Sequence, residues 1–293
     1  MRVKVRSVFW CILAYFLLTV PCSGGGKVKV SWFPQELKQG DVLCVTVRPE
    51  AKIASVTGDL DGTPIYFYKQ KRKRLAGIVG VDLATAPGRR HLRVEVEDPE
   101  GRSFEQIFPV EIAPGGFEVQ RLTLPQKQVD LKGEALKRVL AENRRLINIF
   151  NQVRPQQLWR HSFILPVDGP ITSSFGLRRI LNDRPRSPHS GVDIGAPEGA
   201  GVASCNDGIV VLVEELYLCG KTIIIDHGCG LYSMYFHLSE TRVNQGDQVG
   251  IGECIGLVGA TGRVTGTHLH WGIRLLGARV DPFSLLNALP PGE

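Results

Sequence analysis

Between Lys27 and Glu118 apolar residues recur at every second position in short runs: Val28, Val30 and Trp32; Leu43, Val45 and Val47; Leu92, Val94 and Val96; Phe108, Val110 and Ile112. A period of two puts one face of an extended chain into a core, and no helix can satisfy it. Stretches rich in glycine, proline and aspartate separate the runs, among them GDLDGTP at 58–64, APGRRH at 86–91 and EDPEGRS at 97–103. Half-buried strands with regular turns predict a mainly β chain that starts with a small immunoglobulin-like β-sandwich over residues 27–118. Within it, KQKRKR (Lys69–Arg74) sets five cations in six residues. That run reads either as a solvated hairpin tip or as a grip on an anionic polymer.

The pattern changes over residues 119–162. Leu131, Ala135, Val139, Leu146, Ile147, Phe150 and Val153 follow one another at helical spacing with charges between them, and Pro155 stops the series. This predicts an amphipathic linker helix that docks on one of the flanking β blocks. From Phe163 to Glu293 glycine becomes dense and strand-like segments return, including GIVVLVEELY, KTIIIDHG, LYSMYFHL, GECIGLVG and HLHWGIRLL. The second block is therefore β-rich as well. Its end, ARVDPFSLL, reads as a closing strand edge and a short turn.

At the N-terminus Arg2, Lys4 and Arg6 precede an apolar run from Val8 to Val20, with no acid in between. Three cations before a short apolar core read as an export signal over residues 1–26, since a comfortable membrane span takes about 20 apolar residues. An uncleaved anchor and a lipidated Cys22 are the alternatives, although Pro21 occupies the place where a lipoprotein signal carries a small residue. Each of them puts the working part of the chain outside the cytoplasm. Removal of the three cations brings the formal charge from +6 to +3. That modest balance argues against a nucleic-acid binder. The remaining cysteines, Cys44, Cys205, Cys219, Cys229 and Cys254, are odd in number and lack any C-x-x-C spacing. The last four allow two disulfides in three connectivities but offer no zinc thiolate set.

Five of the seven histidines lie in the second block: His189, His227, His237, His268 and His270. His268 and His270 alternate along a strand and so face one way, roughly 7 Å apart. His189 precedes Asp193 by four residues, about 13 Å in an extended strand, which is too far for a shared ion. Gly191 lies between them and can adopt backbone angles closed to other residues, letting the chain curl until both side chains converge. A catalytic zinc needs three protein ligands and an open position. His189, Asp193 and one of His268 and His270 meet that need, and the other imidazole stands by to move a proton near neutral pH. His237 is a candidate for the pocket wall. His227 reads as a turn residue, and His91 and His161 as surface residues.

The stretches ITSSFGLRR, HSGVDIGAPEGAGV, DGIVV, IIIDHGCGLYSMYFHLS, GDQVGIGECIGLVGATG and TGTHLHWGI cover nearly all of residues 163–283. Together they resemble the lysostaphin-type (LytM-like) zinc metallopeptidases, which cut peptide bonds in bacterial peptidoglycan. The block over 27–118 is similar to the β-sandwich module often found ahead of such domains. The resemblance implies a β-rich peptidase domain over 163–293 with one Zn2+ held by His189, Asp193 and His270. It also implies catalytic roles for His237 and His268, and an open, backbone-lined groove for peptidoglycan stem peptides. The export signal leans toward an endopeptidase of the periplasm or cell envelope that cuts D-alanyl cross-links rather than glycine bridges. Membrane contact is expected only through an uncleaved signal. The alternative is a non-catalytic, peptidoglycan-binding activator of another cell-wall hydrolase. Cysteines where the family usually has small or polar residues, as in SCNDG and GECIG, depart from the pattern without replacing a ligand.

Overall fold

The computed structural model describes residues 28–122, 132–185 and 187–289. The expected export signal and Leu131 of the expected helix face lie outside the described residues. The first half of the chain forms two facing sheets. One orders the strands Val28–Phe33, Val42–Pro49, Leu75–Gly80 and Tyr68–Lys69. The other orders Leu37–Lys38, Ser103–Ala113, Gly88–Glu97, Ser55–Leu60 and Thr63–Pro64. Val30, Val45 and Val47 from the first sheet share one core with Leu92, Val94, Val96, Phe108, Val110 and Ile112 from the second. The period-two alternation thus produces the expected sandwich. Lys69 to Lys73 are exposed at the tip of a hairpin.

The second half is built on a ten-stranded sheet. Its main path runs Ile171–Ser173, Gly191–Ile194, Leu269–Leu275, Leu231–Thr241, Gly220–Gly228, Gly208–Leu216 and Gln248–Val249. Cys254–Val258 pairs with Leu231–Thr241 and with Gly201–Ala203, which curls the sheet back on itself. Val192, Ile194, Ile223, Ile225, Tyr235, Trp271 and Ile273 fill the core, and Val42, Ile78 and Leu83 of the sandwich belong to the same cluster. The halves also meet through a planar fork: Arg279 donates from Nε and Nη2 to Asp82 at 2.9 and 2.6 Å, the geometry that makes arginine–carboxylate pairs specific.

Helix Gly133–Phe150 is present and docks on the second sheet, with Phe150 packed among Ile224, Tyr232 and Met234. Its buried face differs from the expected one in two places. Ile147 is 56% exposed, whereas Glu142 is buried and accepts the Tyr217 backbone N–H at 3.0 Å while pairing with Arg138 at 2.7 Å. A carboxylate is tolerated there because both partners satisfy it. The C-terminal short turn is instead a helix, Pro282–Ala288. Asp281 caps it by accepting from the Phe283 N–H at 2.9 Å, and Pro282 occupies the first helical position, a start signal in its own right. All five cysteines among the described residues are free thiols, so the expected alternatives for disulfide pairing do not arise.

Candidate metal centre

Strands Gly191–Ile194 and Leu269–Leu275 pair antiparallel with Asp193 opposite His270. A cross-strand pair brings two side chains on one face to about 5 Å at Cβ, so the register itself joins the carboxylate to one imidazole. His270 Nδ1 lies 2.9 Å from Asp193 Oδ1. His189 arrives from the loop before the first strand, pinned by the bonds of Gly176 N–H to its carbonyl (2.8 Å) and of its own N–H to the Leu177 carbonyl (3.0 Å). Its Nε2 reaches Asp193 Oδ1 at 3.0 Å and His270 Nδ1 at 3.0 Å. Among the described residues, His189, Asp193 and His270 form the one group of three potential ligand atoms in mutual reach.

Gly191 works differently from the sequence expectation. It lies in ordinary extended strand backbone, not in the left-handed region. A Cβ at this position would stand 2.8 Å from His270 Nε2 and closer still to the Trp271 carbonyl oxygen. The missing side chain therefore leaves the space over which the His270 ring lies. The His189 Nδ1–H donates to the Ser174 carbonyl at 2.9 Å, which turns the Nε2 lone pair inward, the tautomer a metal ligand requires.

Phe236 pairs with His270 on the neighbouring strand and stacks flat on its ring, with centroids 5.1 Å apart and planes 5° off parallel. Sequence reasoning missed this residue, although its place beside His237 in YFHL was visible. His237 itself sits at an irregularity of strand Leu231–Thr241 with φ +66°. A non-glycine residue in that region is strained, and a bulge of this kind re-aims a side chain. The distortion is held by the bond of His237 N–H to the Cys219 carbonyl at 2.8 Å. His237 and His268 face each other with ring centroids 4.9 Å apart. His268 Nε2 stands 3.7 Å from Asp193 Oδ1, farther out than His270.

One loop anchors both outer rings. His237 Nδ1 donates to the Thr261 carbonyl at 2.9 Å, and His268 Nδ1 donates to the Gly266 carbonyl at 2.9 Å. A carbonyl oxygen can only accept, so each ring carries its proton on Nδ1 and keeps a lone pair on Nε2. Burial depresses the His237 pKa to about 4, against the smaller opposing effect of the Thr261 bond. Burial likewise lowers His270. Burial would raise the Asp193 carboxyl, but the bonds and charges of His189 and His270 outweigh it and hold the group well below the usual carboxylate range.

His227 departs from its expected place in a turn. It is fully buried on strand Gly220–Gly228, where Nδ1 donates to the Asp207 carbonyl at 2.7 Å and Nε2 meets Ser233 Oγ at 2.7 Å. Burial pushes its pKa down to about 4. It belongs to the core and takes no part in the cluster. His91 and His161 are exposed, as expected.

Comparison with known proteins places this geometry in a family. Peptidase family M23 is matched over residues 187–282, a span that contains the four site histidines and Asp193. The peptidoglycan DD-endopeptidase ShyA of Vibrio cholerae is 40% identical over 119 residues, 40% of this chain and 28% of that protein. The DD-carboxypeptidase/endopeptidase Mpg of Neisseria meningitidis is 39% identical over 123 residues, 42% of this chain and 28% of that protein. The chain thus spans less than a third of the length of these curated relatives. The crystal structure of an M23 peptidase candidate from Pseudomonas aeruginosa matches with a TM-score of 0.67 at 30% identity, over 86% of this chain and 96% of that one.

Proposed function

This chain belongs to peptidase family M23, and from that premise we propose that it is a zinc endopeptidase that hydrolyses D-alanyl cross-links between peptidoglycan stem peptides in the cell envelope. The observation that carries the reading is the convergence of two imidazole nitrogens and one carboxylate oxygen to 2.9–3.0 Å of one another. Tetrahedral zinc with ligands at about 2.0–2.1 Å spaces them by about 3.4 Å, so a small outward relaxation admits the ion. His189, Asp193 and His270 would hold it. When bound, zinc supplies Lewis acidity at the scissile carbonyl and lowers the pKa of water toward 7. Names of the relatives above support the D-alanyl bond as the target.

The residues of the chain supply the proton chemistry. His268, with its Nδ1–H committed to Gly266, presents Nε2 as the base that takes a proton from the attacking water and returns it to the leaving amine. His237 is neutral, and its Nδ1–H is committed to Thr261, so it offers a lone pair rather than a donor. It would orient the water by accepting its hydrogen bond, not stabilise a developing anion. Residues 27–118 are read as an accessory sandwich module, 119–162 as its linker and 163–293 as the peptidase domain.

His189→Ala and His270→Ala are expected to lose both bound zinc and product release from a muropeptide dimer with a defined D-alanyl cross-link, followed by mass spectrometry. His268→Ala should retain zinc and lose turnover by about 10²- to 10⁴-fold. Zinc-loaded wild type that pellets with sacculi and releases nothing would replace the enzyme with a binding protein.

A further inference from the structure

The basic run Lys69–Arg74 has no part in the chemistry above, yet the fold presents it in a costly way. Arg72 and Lys73 have φ of +59° and +57°, and Arg74 N–H bonds back to the Lys71 carbonyl at 3.4 Å. Two positive-φ residues inside a four-residue turn define the tight hairpin that Asn-Gly suits best. This chain puts arginine and lysine at those two positions, where any side chain beyond glycine or asparagine is strained. Positive charge is retained at the tip against backbone preference.

Register shows which end of the sandwich the tip occupies. Val28 pairs with Pro49, Val47 pairs with Leu75, and Leu75 pairs with Lys69. The tip therefore projects at the same end of the same sheet as Val28, three strand spacings or about 14 Å away. Val28 is where the preceding sequence joins, with its apolar run from Val8 to Val20 behind Arg2, Lys4 and Arg6. The other end of these strands, at Gly80 and Val42, meets Val280 and Ser284 of the second half. Three acids near the basic end have cation partners outside the Lys69–Arg74 run. Glu50 pairs with Lys29 at 2.8 Å, and Asp98 and Glu100 pair with Arg102 at 2.7 and 3.4 Å. Arg48 and Lys52 are exposed there as further cations.

We propose that the Lys69–Arg74 tip is a docking surface for an anionic phospholipid bilayer. A bilayer fits better than a wall polymer because the apolar run Val8–Val20, when retained as an uncleaved anchor, joins at the same sheet end. Basic clusters beside such stretches gain about fivefold in membrane affinity per cation. Docked this way, the sandwich stands between the lipid surface and the peptidase half.

The test is co-sedimentation of the full chain with vesicles of phosphatidylcholine alone or with about one third phosphatidylglycerol. The double variant Arg72→Asn, Lys73→Gly removes two cations and installs the pair that the turn prefers, so the hairpin is kept and folding is not impaired. It is expected to lower affinity for the anionic vesicles by about 25-fold and leave binding to neutral vesicles unchanged. Lys137→Gln with Arg144→Gln removes the same charge from the exposed side of helix Gly133–Phe150 and should leave affinity for the anionic vesicles at the wild-type level. Equal binding of the tip variant and wild type to anionic vesicles would overturn the proposal. So would loss of affinity for purified sacculi in place of vesicles, which would assign the tip to a wall polymer.

Discussion

Replacing Gly191 by alanine adds one methyl group against the His270 ring and the backbone of the strand that carries it. The new Cβ would stand 2.8 Å from His270 Nε2, where ordinary contact begins near 3.4 Å, so ring or strand must yield by about 0.6 Å. The second obstacle is the Trp271 carbonyl, which sits in a strand ladder and cannot rotate away. Overpacking of this kind costs about 1–3 kcal/mol. The functional cost is expected to be larger, because His270 holds Nδ1 within 3.0 Å of both partners. A displacement on the ångström scale reduces turnover by about 10²-fold. Gly191→Ala should therefore melt only a few degrees lower, bind zinc more weakly and cleave a cross-linked muropeptide dimer about a hundredfold more slowly. Gly201→Ala is the control, since its Cβ would meet Cys254 Sγ at an ordinary 3.6 Å. Wild-type zinc affinity and turnover in Gly191→Ala would refute the close-approach argument.

Other expectations concern the scaffold. The His227 imidazole titrates near 6.5 when unfolded and near 4 when folded, so the unfolded chain binds the extra proton between those values. Its contribution is complete above about pH 6.5 and disappears as pH falls toward 4, a loss of about 3 kcal/mol that urea melts across this window would read. A flat profile would show that His227 is hydrated in solution. Phe150→Ala, at the anchor of the linker helix, should cost about 3–5 kcal/mol by the same melts. Asp82→Ala removes the acceptor of the Arg279 fork and should cost about 1–3 kcal/mol, and no loss would mean that the apolar contacts alone join the two halves.

The parts of this fold set by side-chain period were legible in the sequence. Val45, Val47, Leu92 and Val94 alternate and are buried together. Spacing alone put His268 and His270 on one face but left open which of them would meet Asp193. The strand register decides it, because Asp193 pairs with His270, and register is a long-range property that no local spacing encodes. Local sequence suggests backbone freedom for Gly191, while its role depends on the distant strand that carries Gly272, its pairing partner. The aim of His237 comes from a local bulge held by the Cys219 carbonyl, and the YFHL stretch itself gives no sign of it. His227 was misjudged because a glycine-flanked Asp-His pair suggests a turn, whereas Asp207 and Ser233, distant or across the hairpin, satisfy both ring nitrogens and permit full burial. The helix after Asp281 is signalled by its Asp-Pro start, a capping signal that apolar period does not carry.

The central claim is that two imidazoles and a carboxylate on two paired strands and one loop close around a zinc ion. Zinc-edge X-ray absorption on protein purified without chelators measures this directly. The account expects one zinc per chain with nitrogen and oxygen neighbours at about 2.0–2.2 Å, and their loss in His270→Ala. Sulfur neighbours at about 2.3 Å would assign the metal to the free cysteines and contradict the site.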